Sequence, residues 1–100
     1  MSALDQLIRL HRWRLEEERR KMADLQRLAD KLVEQIARLD EDVMREAAAT
    51  KASGTPELVK AFAAYADLSR LRRDKLERSR QDVEARIETA RELVLETFRE

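Results

Sequence analysis

Covalent and acid–base chemistry need reactive groups held out of water, and this chain has few to offer. His11 is the sole histidine and there is no cysteine. A nitrogen- or sulfur-ligated metal site needs more donors than one imidazole. No disulfide or thiolate chemistry follows from a cysteine-free chain, and no metal or cofactor is expected. Carboxylates are plentiful, but their spacing is that of solvated helix faces. Glu16 and Arg20, Glu17 and Lys21, Glu34 and Arg38, and Asp82 and Arg86 stand four residues apart, where opposite charges meet along one helix face. A catalytic acid or base needs a desolvated pocket to tune its pKa. Nothing in the pattern builds one, so the chain is expected not to be an enzyme.

Residues suited to binding are better represented. Trp13 lies between Arg12 and Arg14, with Arg9 one turn earlier. An exposed Trp among arginines has the character of an interface hot spot; the plainer alternative packs its ring along a neighbouring helix or an arginine stem. Phe62 and Tyr65 stand in Ala61-Phe62-Ala63-Ala64-Tyr65-Ala66, either as core or as an adhesive patch. The basic run Arg70, Arg72, Arg73, Lys75, Arg78 and Arg80 is broken among charges only by Asp74 and Glu77, and such a run is ordinarily a solvated face. Arg9, Arg12, Trp13, Phe62, Tyr65, Arg72 and Arg73 are therefore the candidate partner-binding residues.

The elements that must position them follow from periodicity. Over residues 4–43 a heptad places Ile8, Leu15, Met22, Ala29, Ile36 and Val43 at a. It places Leu4, His11, Glu18, Leu25, Leu32, Leu39 and Glu46 at d, and all but His11, Glu18 and Glu46 are apolar. The mean step is about 3.5 residues, the period of a left-handed coiled coil. Glu18 and Glu46 read as register-setting polar residues in the seam, and Trp13 falls at f, away from it. The only glycine and the only proline then fall together at Gly54 and Pro56, near the midpoint. Gly54 suits a left-handed helix stop, Thr55 an N-cap, Pro56 the first helical position and Glu57 the positive end of the dipole.

The second helix carries a stripe of Leu58, Phe62, Tyr65, Leu68, Leu76, Val83, Ile87, Ala90, Val94 and Phe98, with Arg72 and Ser79 filling the gaps and Arg73 and Arg80 close to the seam. Its mean step is about 3.6 residues, that of a nearly straight helix. Two such helices and one short turn predict an all-α fold: a two-helix antiparallel coiled-coil hairpin. It forms one domain over residues 1–100, with helix 1 about 3–52, a turn at 53–55 and helix 2 about 56–99. Folding about Gly54 places residue i opposite roughly residue 108 − i, which brings Asp40, Glu41 and Asp42 toward Arg70, Arg72 and Arg73.

Composition supports this reading. Charged residues make up 42% and aromatics 4%, the balance of a long helix or coiled coil. Disorder is disfavoured because the apolar residues are periodic. Lys+Arg and Asp+Glu stand at 21 each, so there is no basic excess for phosphates or an anionic membrane surface. Neither nucleic acid nor direct membrane insertion is expected. No signal peptide is visible and no apolar run reaches membrane-spanning length. A cytoplasmic location is expected.

Leu7-Ile8-Arg9-Leu10-His11-Arg12-Trp13, followed by Glu17-Glu18-Arg19-Arg20, resembles the start of FliJ, the soluble component of bacterial flagellar protein export. Phe62-Ala63-Ala64-Tyr65-Ala66 and Leu71-Arg72-Arg73-Asp74-Lys75-Leu76-Glu77-Arg78-Ser79 are similar to the second helix of alphaproteobacterial FliJ-like proteins. The resemblance implies a hairpin like the central stalk of rotary ATPases. It implies a non-enzymatic adaptor, peripheral at the export apparatus, that binds the hexameric export ATPase and the export gate protein FlhA and helps handle export chaperones and substrates. By the same analogy Arg9, Arg12 and Trp13 face the ATPase ring, and Phe62 and Tyr65 are candidates for gate contact. Family members commonly continue past the position of Glu100, so residues 4–7 are expected to lack a covering helix.

Two other readings stand beside this one. A generic structural coiled coil would use the first-helix seam to homodimerise, whereas the hairpin is expected to be monomeric. A holding chaperone of prefoldin-like character would grip clients with Phe62 and Tyr65 and suppress their aggregation.

Overall fold

A computed structural model describes residues 2–99. The described chain is two helices, α1 (Ala3–Ser53) and α2 (Pro56–Arg99), packed against each other as an antiparallel hairpin with no strand among the described residues. Local chemistry sets the helix ends. Ser2 caps α1: the Asp5 amide donates to Ser2 Oγ at 3.1 Å, and the Ser2 amide donates back to Asp5 Oδ2 at 3.3 Å. This reciprocal cap satisfies amides that have no partner within the helix. At the other end of α1, Gly54 adopts φ +65° and its amide donates to the Thr50 carbonyl at 2.9 Å. Only glycine enters that left-handed region without steric cost. Thr55 then caps α2, its Oγ1 accepting from the Leu58 amide at 3.4 Å, and Pro56 takes the first helical position.

The described chain divides into two compact units, each holding a piece of both helices. In the unit Asp30–Arg80, α1 supplies buried Leu32 and Ile36 with half-buried Leu39, Val43, Ala47 and Thr50. From α2 come half-buried Phe62, Tyr65, Ala66, Arg73, Leu76 and Arg80 and fully inward Ser69. Asp40 pairs with Arg73 here, two residue numbers that add to 113. The expected 108 is displaced because residues 51–61 are all exposed. The first turn of α2 serves to cross from one helix axis to the other, and inward packing begins only at Phe62.

In the other unit, residues 1–29 with 81–100, α1 supplies buried Ala29 and half-buried His11, Leu15, Glu18, Met22 and Leu25. From α2 come buried Val83, Ile87 and Thr97 with half-buried Ala90 and Val94. Thr97 is 1% exposed, and its hydroxyl donates to Glu18 Oε1 at 2.9 Å.

The α1 seam follows the expected heptad from His11 to Val43. Glu46 departs from it: it is exposed, and Ala47 turns inward instead. The α2 stripe departs more. Leu58, Leu68 and Phe98 are 46%, 63% and 66% exposed, and Arg72 and Ser79 are also exposed. Residues 62, 66, 69, 73, 76 and 80 face inward in one unit and 83, 87, 90, 94 and 97 in the other. These positions alternate steps of four and three, so α2 keeps the period of about 3.5 residues of its partner rather than the expected 3.6. The large side chains misdirect the sequence reading: following leucines selects Leu68, whereas the seam takes Ser69.

Candidate protein-interaction surfaces

Four groups of residues offer binding chemistry. The first lies at the start of α1. Residues 2–10 are all exposed, among them Leu4 at 66%, Leu7 at 62% and Leu10 at 52%. The exposed stretch is longer than the expected 4–7. Leu7, Ile8, Leu10 and His11 line an open furrow together with Arg12 and Arg14. Arg9 is exposed on the same stretch. Trp13 is 59% exposed, consistent with an outward heptad position. This face combines apolar side chains with guanidinium groups, the pairing that recognises apolar and acidic groups together.

The second group is the aromatic pair. Phe62 and Tyr65 are both half-buried, with ring centroids 6.3 Å apart and planes tilted by 48°. That separation and tilt lie in the favourable range for aromatic pairs. The rings share a shallow furrow with Glu46, Thr50, Leu58 and Ala61. They thus fill part of the interhelical space and stay partly open to solvent.

The third group contains Arg72 and Arg73, which the fold separates. Arg73 reaches across to α1: its Nε donates to Asp40 Oδ1 at 2.9 Å and its Nη2 to Asp40 Oδ2 at 3.2 Å. Two parallel bonds from a planar guanidinium fix geometry as well as charge. The hydrogen bond to Asp40 raises the Arg73 pKa above the ordinary arginine value. The Asp40 charge adds to the rise and burial opposes it. Arg73 also lies 3.9 Å from Glu77, which pairs in turn with Arg80 at 2.9 Å. Arg72 is exposed and lines a different furrow with Gln35, Arg38, Leu39, Asp42 and Leu76. Arg73 is therefore part of the hairpin's own contact, and Arg72 is available to other molecules.

The fourth group escaped the sequence reading. Leu68 and Leu71, 63% and 65% exposed, form an open face of α2 with Arg72, Asp74, Lys75 and Arg78. The only sequence signal was the polar gap at residues 69–73. It marked a weak seam without saying which side of the helix the leucines take. The Thr97–Glu18 contact was likewise hidden, because a threonine near a helix end carries no periodic signal.

Elsewhere the charges pair along single helices, as in Arg20 with Glu17 at 2.6 Å, Arg86 with Asp82 at 3.2 Å, Arg91 with Glu88 at 2.7 Å, and Arg27 with Asp24. Exposed pairs of this kind contribute little to stability. Among the described residues no group of three or more His, Cys, Asp or Glu side chains is placed to hold a metal ion. No helix among them is long and apolar enough to cross a membrane.

Fold and surfaces together define an antiparallel coiled-coil hairpin with apolar–basic faces turned to solvent. No family model matches the chain, and no curated protein or solved structure does so either.

Proposed function

We propose that this protein is a non-enzymatic adaptor of the flagellar protein export apparatus. In this reading it works in the cytoplasm, peripheral to the apparatus. It binds the export ATPase ring through the start of α1 and the export gate protein FlhA through the aromatic pair, and it assists the handling of chaperones and substrates. The observation that carries the reading is Trp13, 59% exposed at an outward heptad position beside the exposed Arg9 and Arg12. An exposed tryptophan among guanidinium groups suits a protein contact that covers it. The FliJ-like motifs noted above supply the identity of that partner by resemblance.

Turnover of the cognate export ATPase, with and without this protein, tests the proposal. The expected result is a change in rate or in hexamer formation that is lost in Arg12→Glu and Trp13→Ala. No change in either quantity with the unaltered protein overturns it. The seam positions Leu4 and Ile8 also favour a second reading, because they continue the heptad and are exposed. A homodimer joined through those positions would appear as a concentration-dependent mass in sedimentation equilibrium and would disappear in Leu4→Ser/Ile8→Ser.

A further inference from the structure

The run of cations on α2 divides into two sets when their partners are considered. Arg70 is matched by Asp67 at 3.1 Å, Arg73 by Asp40 and Arg80 by Glu77. Arg72, Lys75 and Arg78 have no ion-pair partner among the described residues. Those three line one furrow with Leu68 and Leu71, where Asp74 is the only carboxylate. Positions 68, 71, 75 and 78 advance by three, four and three residues. They form a second seam on α2, distinct from the inward one that runs through Ser69, Arg73 and Leu76.

Composition sharpens the contrast. On the inward side of this stretch the chain places Ser69 and Arg73, while the two leucines face water. The arrangement observed keeps two leucines and three cations, with the single carboxylate of Asp74, together on an outer face.

We infer that this face docks an acidic amphipathic helix of a partner protein. The partner's apolar side chains pack on Leu68 and Leu71, and its carboxylates meet Arg72, Lys75 and Arg78 on the adjoining turns. Charge complementarity selects the occupant. A neutral or basic helix leaves a net positive face unmatched beside a desolvated contact, and a purely acidic segment leaves the leucines in water. The alternating three- and four-residue spacing requires a helix, because an extended strand has a two-residue side-chain period and cannot follow it. The inference rests on the reading of the chain as a protein-binding hairpin, and it does not depend on the export ATPase.

The test uses the full chain, isotopically labelled, titrated with a synthetic end-capped helical peptide. The peptide has leucines one turn apart and glutamates on the next two turns. Amide shifts confined to residues 64–82 are expected. Lys75→Glu/Arg78→Glu and Leu68→Ser/Leu71→Ser should each weaken the dissociation constant by about tenfold or more, with the helical circular dichroism unchanged. If the leucine variant fails to fold, the charge-reversal variant decides alone. A control peptide with lysine for glutamate should not bind, and one with serine for leucine should bind at least about tenfold more weakly. No shifts, shifts centred elsewhere, or binding indifferent to the charge reversal overturns the inference. So does equal binding to phosphatidylserine vesicles that is lost in the same variants. Failure here with ATPase stimulation intact removes only this surface; the converse removes only the adaptor reading.

Discussion

The two compact units use the same kind of α1 stripe and meet it with different α2 chemistry. In the unit of residues 1–29 with 81–100, α2 presents Val83, Ile87, Ala90 and Val94, and polarity enters only at Thr97. In the unit Asp30–Arg80, α2 presents an aromatic pair, then Ala66, Ser69, Arg73, Leu76 and Arg80, and leaves Leu68 and Leu71 outside. The first unit is held mainly by apolar burial and the second by a mixture of burial and the bidentate Asp40–Arg73 contact. Apolar burial scales with area removed from water. A half-exposed ion pair specifies register more than it stabilises. The difference teaches that a hairpin can keep a helical period in each unit while leaving leucines exposed where an ion pair maintains alignment.

The strongest test of that contrast truncates one apolar residue in each unit. Ile87→Ala removes a buried side chain from a seam built on burial and should cost about 2–3 kcal/mol. Leu71→Ala removes one already in water and should stay within about 0.5 kcal/mol of the parent. Urea midpoints at unchanged slope measure both. Equal losses would show that Leu71 is packed and that the two units do not differ in this way.

A smaller loss is expected from Thr97→Ala. Glu18 Oε1 accepts from the Thr97 hydroxyl, and Glu18 Oε2 is buried without a hydrogen-bond partner among the described residues. Removing the hydroxyl leaves the carboxylate without that bond in its half-buried position, at a cost of about 1–2 kcal/mol. Thermal denaturation reads it, and a midpoint equal to the parent's would show that solvent satisfies Glu18.

Gly54→Ala sharpens the comparison by touching only the turn. An added Cβ meets no atom within 4 Å, but the backbone sits at φ +65°. Conformation alone should then cost about 1 kcal/mol, again by urea midpoint. A neutral result would mean that the turn relaxes to another geometry.

The smallest effect concerns pH. Arg73 has its pKa raised in the folded protein, chiefly by its bond to Asp40. A raised pKa contributes stability that is fully present below the unfolded-state value and is lost as pH rises through the folded one. Both values lie above the ordinary working range. Between pH 6 and 9 the Asp40–Arg73 coupling, measured by a double-mutant cycle with alanine at each site, should therefore be constant. It should weaken with added salt. A coupling that falls across that pH interval would assign the dependence to another group.

Much of the hairpin is written in local and periodic signals. The heptad of α1 needs only the spacing of Leu15, Met22, Leu25, Leu32, Ile36 and Leu39, and the turn needs only the sole glycine and proline beside Thr55. The outward direction of Arg12 and Trp13 was also readable, because a heptad position states which way a side chain points. The α2 surface was not. Between residues 66 and 80 polar and apolar residues compete for the same face, and periodicity alone does not separate a leucine at 68 from a serine at 69.

What the amino-acid order determined by itself is the pair of helices, their break at Gly54 and the all-α fold, since these depend on contacts between residues near in sequence. What the packed structure decided is register and facing: that Asp40 meets Arg73, that Glu18 meets Thr97, and that Ser69 turns inward while Leu68 does not. Those outcomes depend on how many residues the chain uses to cross from one helix axis to the other. They depend equally on which of two adjacent stripes buries better against α1. Both are sums over contacts between residues far apart in sequence, and no local window contains them.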